Sequence, residues 1–426
     1  MSRRQPVLPC PCISAAPRST ETVLASAHAQ GYRRGYGIVL PGPALKFDPG
    51  RQRTGKGGGI VKPRDRVLTA LSHEQPDRCP MQISFTPEFA TRLRADLRSI
   101  RSSVHNPHGG GNTYELERAL GEDLLLASVG WANSYYANAT FGKGGDRYTD
   151  DWGVGWLNAP YHTRFGPGFY TEITAHPLCD AATVDSYRAP DPHRDDLYAD
   201  AQRLISRYGS DYYIVGVTVC TIFETAWALR GLEQLMLDLI EDPELADRIL
   251  DIPYRYHLAA AQRLVKMGVD MIWTGDDIGT QHGMMISPPM WRRFLKPRMA
   301  QFVSSLKGLN PRVKVAYHSD GNIESVVPEL IEIGVDVLNP VQPRSMDPAR
   351  LKRRFGDRLC FWGTIDEQHT LPFGTPDDVR AEITSRLAEV GTRGGLILGP
   401  THHVQLDTPL ENFWAMVQAI TGSRAG

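Results

Sequence analysis

The stretch RVKVAYHSDGNI, residues 312–323, places an imidazole and a carboxylate two residues apart, directly after a short apolar run. Side chains at positions i and i+2 of an extended chain point to the same side, so His318 and Asp320 can face one site. Gly321 then lets the chain turn away. These two side chains can bind Zn²⁺, or they can form a hydrogen-bonded pair for proton transfer. His318 could equally be a buried histidine with a structural role alone.

Polar or ionisable residues follow the other apolar runs in the same way. In chain order they are Glu224, Asp276 and Asp277, His318 and Asp320, Asn339 and Gln342, Asp366 and Gln368, and His402 and His403. If the runs are parallel strands, their carboxyl ends meet at one edge, where such folds carry their active sites. The convergence of these residues is the strongest functional signal in the sequence.

The types and spacing of these residues suggest a role for each. We expect His318 and Asp320 to be zinc ligands, with His402 or His403 from the last strand as the third. Asp277 is expected to face the site and Asp276 to cap a turn, because adjacent residues at a strand end point to opposite sides. The same rule allows only one of His402 and His403 to face a given centre. The predicted catalytic residues are Asp277, Glu224 and His318, and the predicted substrate-binding residues are Asn339, Gln342, Asp366 and Gln368.

The elements that must position these residues alternate regularly along the chain. Short apolar runs occupy 79–84, 124–130, 212–219, 269–274, 313–318, 335–340, 359–364 and 395–400. Helical stretches such as 243–268 and 288–306 lie between them. Eight strands alternating with helices predict a closed (β/α)8 TIM-type barrel. A doubly wound open sheet is the alternative, but no Gly-rich phosphate turn follows the first strand.

One region interrupts this alternation. Residues 131–192, after the second strand, lack a long helix and are rich in aromatic residues. We expect an insertion that covers the site, since loops of this length are often functional. For any single aromatic residue, a packing role within the insertion is at least as well supported.

Composition narrows the class of protein. The chain has 426 residues, a formal net charge of −1 and six scattered cysteines without a CxxC pair. No general affinity for nucleic acid or anionic membranes is indicated, and no apolar run is long enough to cross a bilayer. We therefore expect a cytoplasmic protein without a disulfide framework.

The first sixty residues differ from the rest of the chain. They hold nine Lys and Arg residues against two acidic ones, Glu21 and Asp48. A transit peptide has that composition, but no amphipathic apolar face recurs there. We expect residues 1–60 to be a disordered extension or the product of a wrongly assigned start codon, and residues 61–426 to form the barrel domain.

Several stretches, in order, carry a resemblance to a known family. They are RDRVLTALSHEQPDRCP, DDWGVGW, FETAWALRGLEQLMLDL, GDDIGTQHGMMISPPMWRRFLKPRM, YHSDGNI, GVDVLNPVQP and LGPTHHVQLDTPLEN. From about Lys62 to Ile420 the chain resembles the uroporphyrinogen decarboxylase superfamily, which also contains zinc-dependent, corrinoid-linked methyltransferases. The resemblance implies the same barrel. It also aligns His402 with a histidine of the decarboxylases, which implies that His402 rather than His403 is the third zinc ligand.

Two departures separate this chain from the typical members of each branch. The decarboxylases carry an arginine-rich segment after the first strand, where this chain reads ISFTPEFATRL and has no arginine before Arg92. The methyltransferases typically carry His-x-Cys at the fifth strand and a later Cys, where this chain has Asp320 and His402. Harder ligands leave a metal more Lewis acidic and suit it to polarising an ether or hydroxyl oxygen.

The resemblance therefore implies a methyltransferase that passes a methyl group to a corrinoid protein. From the harder ligand set we infer that zinc acts as a Lewis acid and that the methyl donor is a small methoxylated substrate. One alternative is a uroporphyrinogen decarboxylase that uses metal-free acid–base chemistry. The other is a barrel that binds a tetrapyrrole without turning it over.

Overall fold

The computed structural model describes residues 61–97, 100, 104–108, 110–129 and 146–423. The predicted N-terminal extension, residues 1–60, lies outside this range. So do Gly130 and the first part of the predicted insertion, residues 131–145, with its four aromatic residues. In the part of the chain that is described, no helix is both long enough and apolar enough to cross a membrane.

Helices and strands alternate through most of the described chain. The helices are α1 (Pro63–Leu71), α2 (Pro87–Leu97), α3 (Glu115–Leu120), α4 (Ala199–Tyr208), α5 (Phe223–Arg230), α6 (Leu232–Glu241), α7 (Pro243–Met267), α8 (Pro288–Phe294), α9 (Lys296–Leu309), α10 (Val327–Glu332), α11 (Pro348–Phe355), α12 (Thr370–Phe373), α13 (Pro376–Glu389) and α14 (Leu410–Gly422). The strands are β1 (Leu124–Ser128), β2 (Arg147–Thr149), β3 (Gly155–Thr163), β4 (Gly166–Ala175), β5 (Tyr213–Val219), β6 (Met271–Gly275), β7 (Lys314–His318), β8 (Val337–Asn339), β9 (Cys360–Ile365) and β10 (Leu396–Pro400).

Seven strands form one parallel sheet in the order β1-β5-β6-β7-β8-β9-β10. The predicted first strand, 79–84, is instead an extended segment with isolated bridges from Met81 to Leu398 and from Phe85 to Val404. Pro80 has no N–H to give to a ladder, and the N–H of Met81 donates to the Asp123 carboxylate. The Asp123 N–H in turn donates to the Met81 carbonyl at 2.9 Å. This segment therefore lies between β10 and the start of β1, which is consistent with a TIM-type barrel.

The core lies inside the curled sheet. Alternate strand residues point inward and pack together, as do two residues of α1; the set is Val67, Leu71, Leu124, Leu126, Tyr213, Val215, Val217, Met271, Trp273, Ala316, Val337, Cys360, Trp362 and Ile397. The inward positions follow the period of two of a β-strand. The sheet interior is thus a packed core, and the strand ends are left to carry polar residues.

Both helical stretches named from the sequence are helical in the structure. The predicted helix 243–268 is confirmed as α7, whose first turn is capped by the Asp242 carboxylate accepting from the Leu245 N–H at 3.0 Å. The predicted helical stretch 288–306 is also helical, but it divides at Leu295 into α8 and α9. Pro297 explains the break: its ring clashes with the preceding turn and its nitrogen cannot donate a helical hydrogen bond.

The described part of the predicted insertion forms a separate antiparallel sheet in the order β2-β3-β4. Trp152 and Trp156 are buried, and the Trp152 ring contacts the rings of Tyr256 and His257 on α7. Tyr170 is 61% exposed. Some of these aromatic residues are therefore packed in the interior, and others lie on the surface. That the insertion covers the site remains a prediction.

A buried carboxylate ties the extended first segment to the barrel. Asp123 is fully buried, and its oxygens lie 2.6 Å from Arg66 and 2.7 Å from Arg78. The same carboxylate accepts the Met81 N–H at 2.9 Å. Because the network is buried, removing the Asp123 carboxylate leaves Arg78 without this counter-charge and Arg66 with Asp77 alone, 2.7 Å away.

We predict that Asp123→Ala lowers the free energy of unfolding by about 3–5 kcal/mol, the range for losing one partner of a buried ion pair. Denaturant titration measures this. The exposed Asp357, which lies 3.6 Å from Arg358, provides the control. Asp357→Ala should leave the midpoint nearly unchanged. Similar small shifts for both variants would contradict a structural role for Asp123.

Candidate active site

The carboxyl ends of β6, β7 and β8 bring the site residues to one level. Gly275 pairs in register with His318, and His318 pairs with Asn339. Gly275 has φ +124°, and a Cβ there would lie 2.2 Å from the His318 carbonyl oxygen. Only glycine permits this approach, which sets the loop after β6 directly beside the end of β7.

The two adjacent aspartates after β6 have different surroundings. The buried Asp276 carboxylate accepts the N–H groups of Ile222 and Glu224 at 2.8 and 3.1 Å, at the start of α5. Burial raises the pKa of Asp276 to about 6. Asp277 instead faces β7 and its loop, where its Oδ1 accepts the Asp320 N–H at 2.7 Å. The orientation predicted for this pair agrees with the structure.

Asp277, His318 and Asp320 form the one group of at least three potential metal-ligating residues that the described chain contains. Their ligand atoms lie within 4.8 Å of one another, and His318 Nε2 is 3.5 Å from Asp277 Oδ1. Two ligands at about 2.1 Å from a tetrahedral zinc are about 3.4 Å apart. One oxygen of Asp320, Oδ1, is buried without a hydrogen-bond partner. The donor atoms and their spacing therefore fit a divalent cation.

The electrostatics of the Asp277 and Asp320 carboxylates also favour a positive partner. Burial and the negative charge of Asp277 raise the pKa of Asp320. Two carboxylates crowded into a poorly hydrated space cannot both be ionised cheaply without a positive partner. A proton or a metal ion satisfies that requirement.

Glu224 lies beside this cluster on α5. Its Oε2 accepts the Asp277 N–H at 2.9 Å. Burial, together with Asp277 and Asp276, raises its pKa well above the usual range. Glu224 therefore holds the loop that carries Asp277 and adds a buried carboxyl group to the site.

The four predicted substrate-binding residues lie around the strand ends, and several of them make structural contacts. Asn339 accepts from His318 Nδ1 at 2.7 Å. Gln342 accepts the Gly321 N–H at 2.7 Å. Asp366 accepts the Gln368 N–H at 2.8 Å, and the Gln368 side chain pairs with Gln281. Substrate binding by these residues remains a prediction.

The strand-end histidines divide differently from the prediction. His402 is exposed, and a positive charge on it would oppose the rise in the pKa of Asp320. The cluster consists of Asp277, His318 and Asp320, so Asp277 rather than His402 is its third member. His403 is buried, with its ring 4.6 Å from that of His402. Burial lowers its pKa well below the usual range.

One histidine that sequence reasoning missed belongs to the same region. The ring of His108 lies 5.0 Å from that of His403 and 6.0 Å from that of Trp273. Burial, followed by the influence of His318 and His402, lowers its pKa to about 3. His108 precedes β1 in an irregular segment without periodicity, so its sequence context carried no signal for this position.

Comparisons with known proteins give information on the fold and on the family of this chain. The fold is similar to that of a methyltransferase from Methanosarcina mazei, with a TM-score of 0.60 and 21% identity over 85% of this chain and 99% of that one. This similarity shows an α/β fold of that type.

The family follows from the match of residues 162–422 to the uroporphyrinogen decarboxylase (URO-D) family model, which covers more than half of the chain. The chain belongs to this family, whose members are enzymes. It is 29% identical over 192 residues to a methylcobamide:CoM methyltransferase MtaA of Methanosarcina barkeri, covering 45% of this chain and 53% of the relative. It is 24% identical over 262 residues to a uroporphyrinogen decarboxylase of Legionella pneumophila, covering 60% and 70%. The chain spans about half the length of the first of these relatives.

The two aspartates after β6 provide a matched pair of variants. We predict that Asp276→Ala lowers the free energy of unfolding by about 1–2 kcal/mol, because the start of α5 loses its cap. Asp277→Ala should cost less stability but weaken the binding of added Zn²⁺. Thermal melting and chelator competition measure the two effects. The reverse pattern would show that Asp276 faces the site.

His108 should make the protein sensitive to acid. Its pKa is about 3 in the folded state against 6.5 for an ordinary histidine, so between these values the unfolded chain binds a proton that the folded protein does not. The free energy of unfolding should therefore fall as the pH drops through this window. His108→Gln should reduce the fall, as measured by denaturant titration at several pH values. The exposed His193 supplies the control His193→Gln; equal effects of the two variants would contradict the prediction.

Proposed function

We propose that this protein is a methyltransferase that moves a methyl group from a small methoxylated substrate to a corrinoid carried by a partner protein. The observation that carries the proposal is the convergence of Asp277, His318 and Asp320. The methyltransferase relatives support the class of reaction. The methoxylated substrate follows from the hard ligand set, as argued next.

Zinc is the proposed metal. Asp277, His318 and Asp320 would hold it through two carboxylate oxygens and one imidazole nitrogen, which are ordinary zinc ligands. When bound, the metal would act as a Lewis acid on an ether or hydroxyl oxygen. Carboxylate and imidazole donors leave more positive character on the metal than thiolates do, so oxygen rather than sulfur is the favoured atom of the substrate.

The protein must also supply a proton. When the carbon–oxygen bond of a methyl ether breaks, its electron pair stays on the oxygen, which then takes a proton. The reduced corrinoid on the partner protein would supply the electron pair for the new bond to the methyl carbon. Glu224, whose Oε2 contacts the Asp277 backbone at 2.9 Å, is the proposed donor of that proton. We retain Asn339, Gln342, Asp366 and Gln368 as the proposed surroundings of the substrate.

Decarboxylation of uroporphyrinogen is less well supported. That substrate carries eight carboxylates, for which arginine is the natural partner. Arg92, the first arginine after the extended first segment, donates to the carbonyls of Leu406 and Thr408 at 2.7 and 3.0 Å. It also lies over the Phe165 ring, 3.9 Å from the centroid. Its guanidinium is thus already occupied by contacts within the chain.

Metal analysis tests the proposal. We expect about one zinc per chain, lost in His318→Ala and kept in His193→Ala, because only His318 belongs to the cluster. Asp320→Cys should still bind zinc, since a thiolate is a good ligand at about 2.3 Å. It should lose transfer from an ether, because a thiolate weakens the pull of the metal on oxygen.

The alternatives give other results. An active protein without metal would support acid–base chemistry by His318 and Asp320, as in a decarboxylase. A protein that binds a tetrapyrrole without turnover of either substrate would support the non-catalytic barrel.

A further inference from the structure

Asn339 contacts three groups at the end of β8, and one of them is the imidazole of the proposed metal site. Its Oδ1 lies 2.7 Å from His318 Nδ1 and accepts the Trp273 Nε1–H at 3.0 Å. Its Nδ2 donates to the Trp362 carbonyl at 3.2 Å. Asn339 is 5% exposed, so these contacts are not replaced by water.

The two outer contacts determine which way the amide points. An indole N–H can only donate, and a carbonyl oxygen can only accept. In the reversed amide, Nδ2 would face the Trp273 N–H and Oδ1 would face the Trp362 carbonyl, so both contacts would set like against like. Oδ1 must therefore face Trp273, and the same oxygen faces His318.

This orientation decides where the imidazole carries its proton. An amide oxygen offers lone pairs and no hydrogen, so His318 Nδ1 must be the donor in the 2.7 Å contact. In a neutral imidazole the other nitrogen, Nε2, then carries the lone pair. Nε2 is the atom that faces Asp277 Oδ1 at 3.5 Å.

We infer that Asn339 is a positioning residue that fixes His318 as the Nδ1–H tautomer and presents the Nε2 lone pair to the metal. The inference rests on the proposed function for the metal, but the tautomer is a property of the protein alone. The pairing of His318 with Asn339 in adjacent strands sets the distance between the two side chains. On the side of the barrel interior, the Trp273 indole N–H and the Trp362 carbonyl hold the Asn339 amide in place. Asn339 thus acts through His318.

The tautomer can be measured in the metal-free wild-type protein. The chain has 13 histidines, so ¹⁵N-histidine spectra of wild type and His318→Gln identify the His318 signals. At a pH where this ring is neutral, we expect the pattern of the Nδ1–H tautomer. The Nε2–H pattern would overturn the inference without any variant of Asn339.

Variants then separate positioning from a merely structural role. Asn339→Leu should shift His318 toward the Nε2–H tautomer and weaken zinc binding by roughly 10–100-fold, the usual effect of losing such a partner. Asn339→Asp keeps an acceptor at Nδ1 and should restore both the tautomer and the affinity. Asn412 is a matched control, because it is buried and donates to the carbonyls of Leu371 and Gly374. Asn412→Leu should lower the melting temperature and change neither readout.

Three further results are informative. An Asn339→Leu protein with wild-type tautomer and zinc affinity overturns the inference, as does an equal loss of affinity in Asn412→Leu. A wild-type protein that shows the Nδ1–H tautomer but binds no zinc supports the role of Asn339 in fixing the ring and overturns the proposed metal. The two hypotheses can thus fail separately.

Discussion

The loops after β6 and β7 touch backbone to backbone, and the candidate site depends on that contact. A Cβ on Gly279 would lie 2.6 Å from the Asp320 carbonyl oxygen, and one on Gly321 would lie 2.5 Å from the Gly279 carbonyl carbon. Side chains at either position would push the loops apart. Asp277 and Asp320 lie on these two loops, so their approach is a consequence of the glycines. The close approach of the two loops therefore brings the two carboxylates together.

That convergence costs electrostatic energy, and the surrounding protein does little to reduce it. Asp276 is stabilised by backbone N–H groups at the start of α5, which suits a carboxylate at a helix N-terminus. Asp320 and Glu224 have raised pKa values, and burial is the first cause of both. Acidic groups crowded in this way favour the binding of a cation, which would lower the cost of ionising them. The imidazole of His318 supplies the neutral donor that such a cation requires.

The sequence predicted the orientation of residues at a strand end more reliably than the contacts between residues on different strands. The alternation of side chains at a strand end is a local rule, and it correctly separated Asp276 from Asp277. The choice between His402 and Asp277 as third member of the cluster depends on distances between loops far apart in the chain, which no local pattern encodes. Asn339 was predicted to bind substrate because it is polar at a strand end; its partner Trp273 lies on a strand 66 residues earlier. The division of the helical stretch at Leu295 can be explained from the sequence, because Pro297 disfavours a continuous helix.

Three cysteines of the described chain bear on the ligand set proposed for a metal. Cys220 follows β5 beside Glu224, Asp276 and Asp277, but burial and these acidic groups raise the pKa of its thiol well above the usual range. A thiol held protonated is a poor metal ligand. Cys79 and Cys360 are buried at the amino-terminal side of their segments, away from the strand ends that carry the site. These cysteines are therefore poor candidates for metal ligands, and the proposed function relies on the oxygen and nitrogen ligands of Asp277, His318 and Asp320.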